Sequence, residues 1–188
     1  LNRTENTQPA ILAASIAILR PLERRGLSAE AAAGHSLGEY TAITAAGGFE
    51  LKDAITLVQK RGRYMQEAMP EGAGLMAAIL GMDRTTLEKT CLEAAKNGIV
   101  APANYNSPGQ IVIAGEKKAV EAARELAKAA GAKKVIPLAV SVPSHCSLMA
   151  QAGRNLEREL DRIPIKDLRI PIVNNADAKF LSAAAELK

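Results

Sequence analysis

The stretch GHSLGEY, residues 34–40, decides the fold that we predict for this chain. It matches the pattern Gly-x-Ser-x-Gly, with a small apolar run before it at 31–33 and a helical pattern after it at 41–46. A strand, a sharp turn and a helix in this order lift the serine hydroxyl clear of the sheet. The chain is therefore predicted to have an α/β fold.

Helices and a further strand surround this stretch. Thr7 and Pro9 predict the N-cap and first turn of one helix, and Asp53 predicts the cap of a later helix that Pro70 ends. An apolar run at 170–173 predicts another strand. These elements favour a hydrolase-like core, a parallel sheet covered by helices.

Between these parts lies a segment of different character. A capping box, Thr85-x-x-Glu88, predicts the start of a helix that stops near Gly98, and a second helix is predicted at 119–130. Strands are predicted at 75–80, 99–103, 110–114 and 135–140, with a turn at 106–109. The order β-α-β-β-α-β is typical of a ferredoxin-like subdomain. We therefore predict a ferredoxin-like insert, 72–140, in a discontinuous core formed by 1–71 and 141–188.

The ends of the sequence indicate a fragment. The first residue is Leu1 and not Met, and residues 180–188 show an Ala-rich helical pattern without a stop signal. We expect the core to be truncated at both ends.

Composition limits the classes of function. Hydrophobic residues make up 48% and charged residues 23%, and no apolar stretch reaches the ~20 residues of a membrane span, so we expect a soluble protein with no membrane partner. Lys and Arg are interleaved with Glu and Asp despite the net charge of +4, which argues against nucleic acid. Cys91 and Cys146 form no disulfide framework or metal-ligand spacing, as in a cytoplasmic protein without a metal.

Ser36 is the candidate nucleophile. The turn predicted around it places the backbone N–H of Leu37, at the start of the following helix, beside the carbon where an oxyanion would develop. The pattern alone also fits a chance match or a structural serine.

His145 is the candidate base for Ser36. A serine needs a base at neutral pH, and only two histidines are present. His35 adjoins Ser36, and neighbouring side chains on a strand point to opposite sides. His145 follows Pro143 at the start of a loop, although a structural histidine remains the alternative.

Arg61 is the third candidate. On a helix it flanks the apolar stripe of Val58, Gly62 and Met65, so we expect it to be partly buried. Such a guanidinium suits a bidentate bond to a substrate carboxylate. A salt bridge to an acid elsewhere is equally consistent with the sequence.

Several motifs together carry a family resemblance. They are TQPA at 7–10, GHSLGEY, RGRYMQEA at 61–68, NSPGQ at 106–110, VSVPSHC at 140–146 and IVNNAD at 172–177. With them the chain resembles the malonyl-CoA:acyl carrier protein transacylases of the discrete bacterial type, over nearly its whole length.

The resemblance implies an acyltransferase of fatty acid biosynthesis. Ser36 would take malonyl from coenzyme A and pass it to the phosphopantetheine thiol of acyl carrier protein. His145 would remove the serine proton and return it to the leaving thiol, and Arg61 would pair with the malonyl carboxylate. Coenzyme A thioester would be the substrate, with no cofactor besides it.

Further binding residues are also implied by the resemblance. Gln8 would line the pocket, Asn106 and Gln110 would face the pantetheine arm, and Lys133 or Lys134 would meet the phosphates of coenzyme A. The positive charge balance agrees with docking of an acidic acyl carrier protein.

The sequence is also compatible with two other functions. One is a serine esterase or thioesterase of α/β-hydrolase type, which should carry an acid of the triad between serine and histidine, but Asp53 and Asp83 have no sequence context typical of such an acid. The other is an inactive fragment that binds the carrier protein, since family segments that complete the oxyanion site and orient the histidine are expected outside this chain.

Overall fold

A computed structural model describes residues 3–70, 72–140 and 142–187 of the chain. It divides into two compact units, and each is described by itself. The first contains Glu5–Arg63 and the chain from Arg154 onwards, and the second contains Tyr64–Gly153. Glu71, Ser141 and Lys188, which bound the predicted segments, lie outside the described residues.

The first unit carries four helices and three short strands. The helices are α1 (Thr4–Arg24), α2 (Leu37–Ala45), α3 (Leu51–Glu67) and α6 (Ala150–Leu160), of which the last residues of α3 and the first of α6 belong to the second unit. The strands are β1 (Ala32–Ala33), β6 (Ile172–Val173) and β7 (Phe180–Leu181), and a 3₁₀ turn follows at Ala184–Glu186.

The strands of the first unit form one sheet in the order β1-β6-β7. Ala32 pairs in parallel with Ile172, and Ile172 pairs in antiparallel fashion with Leu181. The helical prediction for 180–188 was wrong at Phe180–Leu181, which form β7, whereas Ala184–Glu186 form a 3₁₀ turn. At Phe180 and Leu181, strand pairing with β6 overrides the helical tendency of the alanines that follow.

The core of the first unit joins the helices to this sheet. Leu12 and Ile16 of α1, Leu57 and Val58 of α3, and Ile172 of β6 have almost no exposed surface. Because these residues of α1 and α3 are buried, the opposite face of each helix is the more exposed one.

The second unit follows the predicted order of elements. These are β2 (Gly74–Leu80), α4 (Arg84–Ala94), β3 (Val100–Ser107), β4 (Gln110–Glu116), α5 (Lys117–Ala129) and β5 (Lys134–Pro137). The strands lie in the order β3-β4-β2-β5, and every neighbouring pair is antiparallel. A continuous apolar run as short as 75–80 favours a buried strand over a helix because of its length.

One face of this sheet packs against both helices of the second unit. Ile79 and Ile113 of the central strands meet Leu87 of α4 and Val120 of α5, all of them buried. This cluster is a separate apolar core, so the second unit has its own source of stability.

The start signals of several helices were predicted wrongly. α1 begins at Thr4, so Thr7 lies inside it, and α3 begins at Leu51, so Asp53 lies in its first turn. α4 is capped by Asp83, whose carboxylate accepts the Thr86 N–H at 3.0 Å, and not by Thr85. Several nearby polar side chains can serve as a cap, and sequence spacing does not rank them.

The turn predicted at 106–109 is shorter in the structure. β3 continues through Asn106 to Ser107, and the reversal is made by Pro108 and Gly109. Gly109 takes a φ of 73°, which glycine adopts without strain. Asn106 is therefore a strand residue.

Within residues 3–70, 72–140 and 142–187, none of the helices combines the length and the apolar character of a membrane span.

Candidate active site

Ser36 occupies a strained turn between β1 and α2. Its φ is 54° and its ψ is −107°, and the turn is closed by the Gly38 N–H, which donates to the His35 carbonyl at 2.9 Å. A turn with positive φ at its second position normally takes glycine there. A non-glycine residue in such a conformation costs about 1–3 kcal/mol, which the surrounding contacts must offset.

The two glycines of the motif have different roles. A Cβ on Gly34 would lie 1.9 Å from the carbonyl carbon of Gly38, whereas a Cβ on Gly38 would meet nothing within 4 Å. Position 34 therefore has to be glycine, because the backbone of Gly38 occupies the place of a side chain. Position 38 has room for a Cβ, so the space around it does not require glycine.

The Ser36 hydroxyl faces a cation. It forms no cap bond to α2 and instead accepts a hydrogen bond from Nη2 of Arg61 at 3.1 Å. Leu37 begins α2, and the first N–H groups of a helix have no partner within the helix. The Leu37 N–H is therefore available to a ligand beside Ser36, as the oxyanion prediction requires.

Arg61 is held from several sides. Nη1 donates to Oε1 of Gln8 at 2.6 Å, and the guanidinium carbon lies 5.4 Å from the ring centre of Tyr40. Gln8 is 5% exposed, so its amide is a fixed partner. The structure thus brings Gln8, Ser36 and Arg61 together within the first unit.

The salt bridge that the sequence left open for Arg61 is absent from the described ranges. The neighbouring Lys60 does form one, to Glu159 at 2.6 Å, whereas Arg61 contacts an amide, a hydroxyl and a ring. Its positive charge is therefore not neutralised by a carboxylate of the described chain.

Tyr40 places its ring beside the guanidinium of Arg61. Burial raises the pKa of its phenol, and the charge of Arg61 opposes that rise only partly. The phenol therefore stays neutral at physiological pH and adds no negative charge beside Arg61.

Sequence reasoning missed Asn175 and Glu39. Oδ1 of Asn175 accepts the Ser36 N–H at 2.8 Å, and the backbone N–H of Asn175 donates to Oε1 of Glu39 at 3.1 Å. Both residues lie in motifs of the resemblance, GHSLGEY and IVNNAD. Nothing in their spacing indicates that the two motifs meet.

His145 lies on an anchored loop of the second unit. Pro143 is buried against Gly74, where an added Cβ would come within 2.5 Å of its ring, and Val142 is buried beside Met65. The His145 side chain is exposed. The buried residues before His145 fix the start of its loop, while the imidazole itself is accessible. Such a histidine suits proton transfer to a substrate.

His145 and Ser36 share an unusual backbone. In the described part of the chain, only three non-glycine residues have positive φ, namely Ser36, His145 with 60°, and Ala178. Residues with such strained backbone angles are concentrated at functional sites. The backbone therefore supports Ser36 and His145 as candidate site residues independently of their side chains.

The remaining predicted binding residues lie in the second unit. Leu80 pairs with Gln110 on one side and with Lys134 on the other, and its carbonyl accepts the Lys133 N–H at 2.8 Å. The structure therefore gathers Gln110, Lys133 and Lys134 at one end of the sheet, with their side chains exposed. Asn106 is also exposed, near the end of β3.

The cysteines are poor candidates for chemistry. Burial raises the pKa of the Cys91 thiol to about 11, with a smaller contribution from Glu88, and burial also raises the pKa of Cys146. A thiol with a raised pKa is a weak nucleophile at neutral pH. Among the described residues, no group of three or more His, Cys, Asp or Glu could hold a metal ion.

Comparison with known proteins gives a consistent result. Residues 1–182 match the family described as the acyl transferase domain. Malonyl CoA-acyl carrier protein transacylase of Escherichia coli K12 is 53% identical over 180 residues, covering 95% of this chain and 58% of that protein. The enzyme of that name from Bacillus subtilis is 48% identical and covers 100% of this chain and 60% of that protein.

Solved structures agree with these sequence relatives. A malonyl-transacylase in complex with a type II PKS acyl-carrier protein superposes with a TM-score of 0.96 at 52% identity, covering 100% of this chain and 61% of that one. An acyl carrier protein S-malonyltransferase from Vibrio cholerae gives a TM-score of 0.94 at 48% identity, with 100% and 61% covered. The resemblance predicted from the motifs is confirmed, and the chain spans about 60% of the length of the relatives it matches.

Proposed function

This chain belongs to the acyl transferase domain family, and on that premise we propose that its parent protein transfers malonyl from coenzyme A to the phosphopantetheine thiol of acyl carrier protein. The names of its relatives support this reaction, as do the contacts of Ser36 and Arg61. The proposed setting is fatty acid biosynthesis in the cytoplasm.

The first half of the reaction would acylate Ser36. Its oxygen attacks the thioester carbonyl of malonyl-CoA while His145 takes the hydroxyl proton. The carbonyl oxygen becomes an oxyanion that accepts the Leu37 N–H. When the C–S bond breaks, the imidazolium returns its proton to the sulfur, so that coenzyme A leaves as a thiol and malonyl remains as an ester.

The second half would run the same steps in reverse. The phosphopantetheine thiol of the carrier protein loses its proton to His145 and attacks the serine ester. The C–O bond breaks, the proton returns to the Ser36 oxygen, and malonyl leaves as a new thioester. One thioester is exchanged for another, so no cofactor is needed in addition to the substrate.

The observation that carries the proposal is the bond between Arg61 and Ser36. A guanidinium that reaches the nucleophilic oxygen at 3.1 Å also reaches the carboxylate of a short acyl group attached to it. Gln8 holds the other nitrogen of the fork and keeps it in place. An acyl group without a carboxylate would leave this cation unpaired, which disfavours acetyl.

The finer architecture and the outer binding residues belong to the same proposal. The parallel pairing of β1 with β6 supports a hydrolase-like core of residues 1–71 and 141–188, and the antiparallel sheet order supports a ferredoxin-like insert at 72–140. On that insert, Asn106 and Gln110 would face the pantetheine arm, and Lys133 or Lys134 would bind coenzyme A phosphates.

The proposal is tested by following malonyl to the carrier protein. The full chain is incubated with malonyl-CoA and phosphopantetheinylated acyl carrier protein, and both proteins are weighed intact by mass spectrometry. We expect one malonyl group on the carrier protein, formed faster than in the same mixture with Ser36→Ala.

Two results would favour the other functions. Release of free malonate and coenzyme A without a malonylated carrier would indicate an esterase or thioesterase. Binding of the carrier protein without any acyl transfer or hydrolysis would indicate a fragment that only docks.

Selectivity for malonyl tests the role of Arg61. Arg61→Ala should lower the rate with malonyl-CoA by about a hundredfold relative to acetyl-CoA, since a hydrogen bond to a charged group contributes about 1.5–3 kcal/mol. Lys52→Ala removes an exposed cation from the same helix and should change neither rate. Equal losses with both thioesters in Arg61→Ala would show that Arg61 does not bind the carboxylate.

A further inference from the structure

The loop after β6 contacts the Ser36 turn through Asn175. Its side-chain Oδ1 accepts the Ser36 N–H at 2.8 Å, and its own N–H donates to Oε1 of Glu39 at 3.1 Å. Glu39 lies in the first turn of α2, directly after the serine turn. The two bonds therefore attach one residue to both sides of the turn.

The first bond acts on the strained torsion itself. The N–H of Ser36 belongs to the peptide plane that rotates about φ of Ser36, so a fixed partner for this N–H fixes that angle. The angle is 54°, in the region that favours glycine. Without the bond, the peptide plane can rotate towards the ordinary region and carry the hydroxyl with it.

The second bond acts on Asn175. The loop that bears it turns back at Asn174, whose Oδ1 accepts the Lys179 N–H at 2.9 Å. That contact shapes the loop, whereas the bond to Glu39 anchors the backbone of Asn175 to α2. A carboxylate acceptor makes this a charge-assisted bond, which is stronger than a neutral one.

We propose that Asn175 is a positioning residue for Ser36, held in place by Glu39, and that it keeps the nucleophile in the strained turn from which its hydroxyl reaches Arg61. This rests on the proposed function, in which Ser36 carries the acyl group. Asn175 lies at the surface. Water can replace its hydrogen bond, so its loss should change the geometry of the turn more than the stability of the fold.

The variants separate positioning from loop folding. Asn175→Ala removes the acceptor for Ser36, whereas Asn174→Ala disrupts the same loop through a residue whose side chain bonds within it. Glu39→Ala removes the acceptor for Asn175, and Glu39→Gln keeps a carbonyl oxygen in the same place.

The test measures two properties of the full chain. The rate of Ser36 acylation by malonyl-CoA is followed by intact mass, and exchange of the Ser36 amide hydrogen is followed by NMR or by mass spectrometry of its peptide. We expect Asn175→Ala to slow acylation by about a hundredfold, the loss that a misplacement of about 1 Å produces, and to speed amide exchange. The midpoint of thermal unfolding should change little.

The controls decide the interpretation. Asn174→Ala should lower the unfolding midpoint while Ser36 exchange and acylation stay near wild type, and Glu39→Gln should restore most of what Glu39→Ala loses. Equal losses of rate in Asn174→Ala and Asn175→Ala would show a structural role only and overturn the proposal. If the unmodified chain takes no malonyl, the proposed function fails, and unchanged Ser36 exchange in Asn175→Ala would separately exclude the positioning role.

Discussion

The antiparallel sheet of the second unit and the serine turn of the first are stabilised in opposite ways. The central strands β2 and β4 pair without interruption from Gly74 to Leu80, and buried apolar side chains cover one face. The turn at Ser36 lies beside strands of only two residues each, and single polar contacts hold its backbone at positive φ. Many small contributions maintain the sheet, whereas the turn depends on a few specific ones.

The largest effect should come from the core of the sheet. Ile113 of β4 is fully buried, so Ile113→Ala should lower the free energy of unfolding by about 2–5 kcal/mol through lost burial and the cavity left behind. Chemical denaturation measures this value. As a control, Leu92 is 74% exposed in the same unit, and Leu92→Ala should change the free energy of unfolding by less than about 0.5 kcal/mol. If both variants lose the same free energy of unfolding, the buried apolar face is not what stabilises the sheet.

The next effect concerns the two glycines of the serine motif. Gly34→Ala forces a Cβ against the backbone of Gly38, so we expect a loss of about 1–3 kcal/mol in stability together with loss of Ser36 acylation. Gly38→Ala has open space and lies in a helix, where alanine is favoured by up to about 1 kcal/mol. If both variants behave alike in denaturation and acylation assays, the backbone of Gly38 does not lie against position 34.

The smallest effect measures the strain at Ser36 directly. Ser36→Ala and Ser36→Gly both remove the hydroxyl and its bond to Arg61, but only glycine relaxes at a φ of 54°. Glycine loses more backbone entropy on folding than alanine does, which offsets part of the relieved strain. Ser36→Gly should therefore unfold with a free energy about 1–2 kcal/mol higher than that of Ser36→Ala. Denaturation of the two variants side by side gives the difference, and a less stable Ser36→Gly would mean that the turn is unstrained.

The sequence predicted the regular parts of the molecule better than the site. The length of the apolar run at 75–80 favours a strand over a helix, and the predicted order of elements in the second unit was confirmed. The strand at Phe180–Leu181 was missed because it forms only through pairing with β6. Local pattern cannot report a partner that lies elsewhere in the chain.

The site shows the same limit. Gly-x-Ser-x-Gly predicts the turn because its geometry is local, and the flank of an apolar stripe indicated the partly buried side of Arg61. The contacts of Asn175 with Ser36 and Glu39 join segments 139 and 136 residues apart, and no spacing rule connects them. The catalytic roles of Ser36 and His145 stay predictions.

Acylation of Ser36 is the step on which the proposed reaction depends, and it can be measured by itself. The full chain is mixed with malonyl-CoA in the absence of any carrier protein, weighed intact, and then digested to locate the modification. We expect one added malonyl group on the peptide that contains Ser36, and none in Ser36→Ala. A malonyl group on another residue, or an adduct that persists in Ser36→Ala, would contradict it.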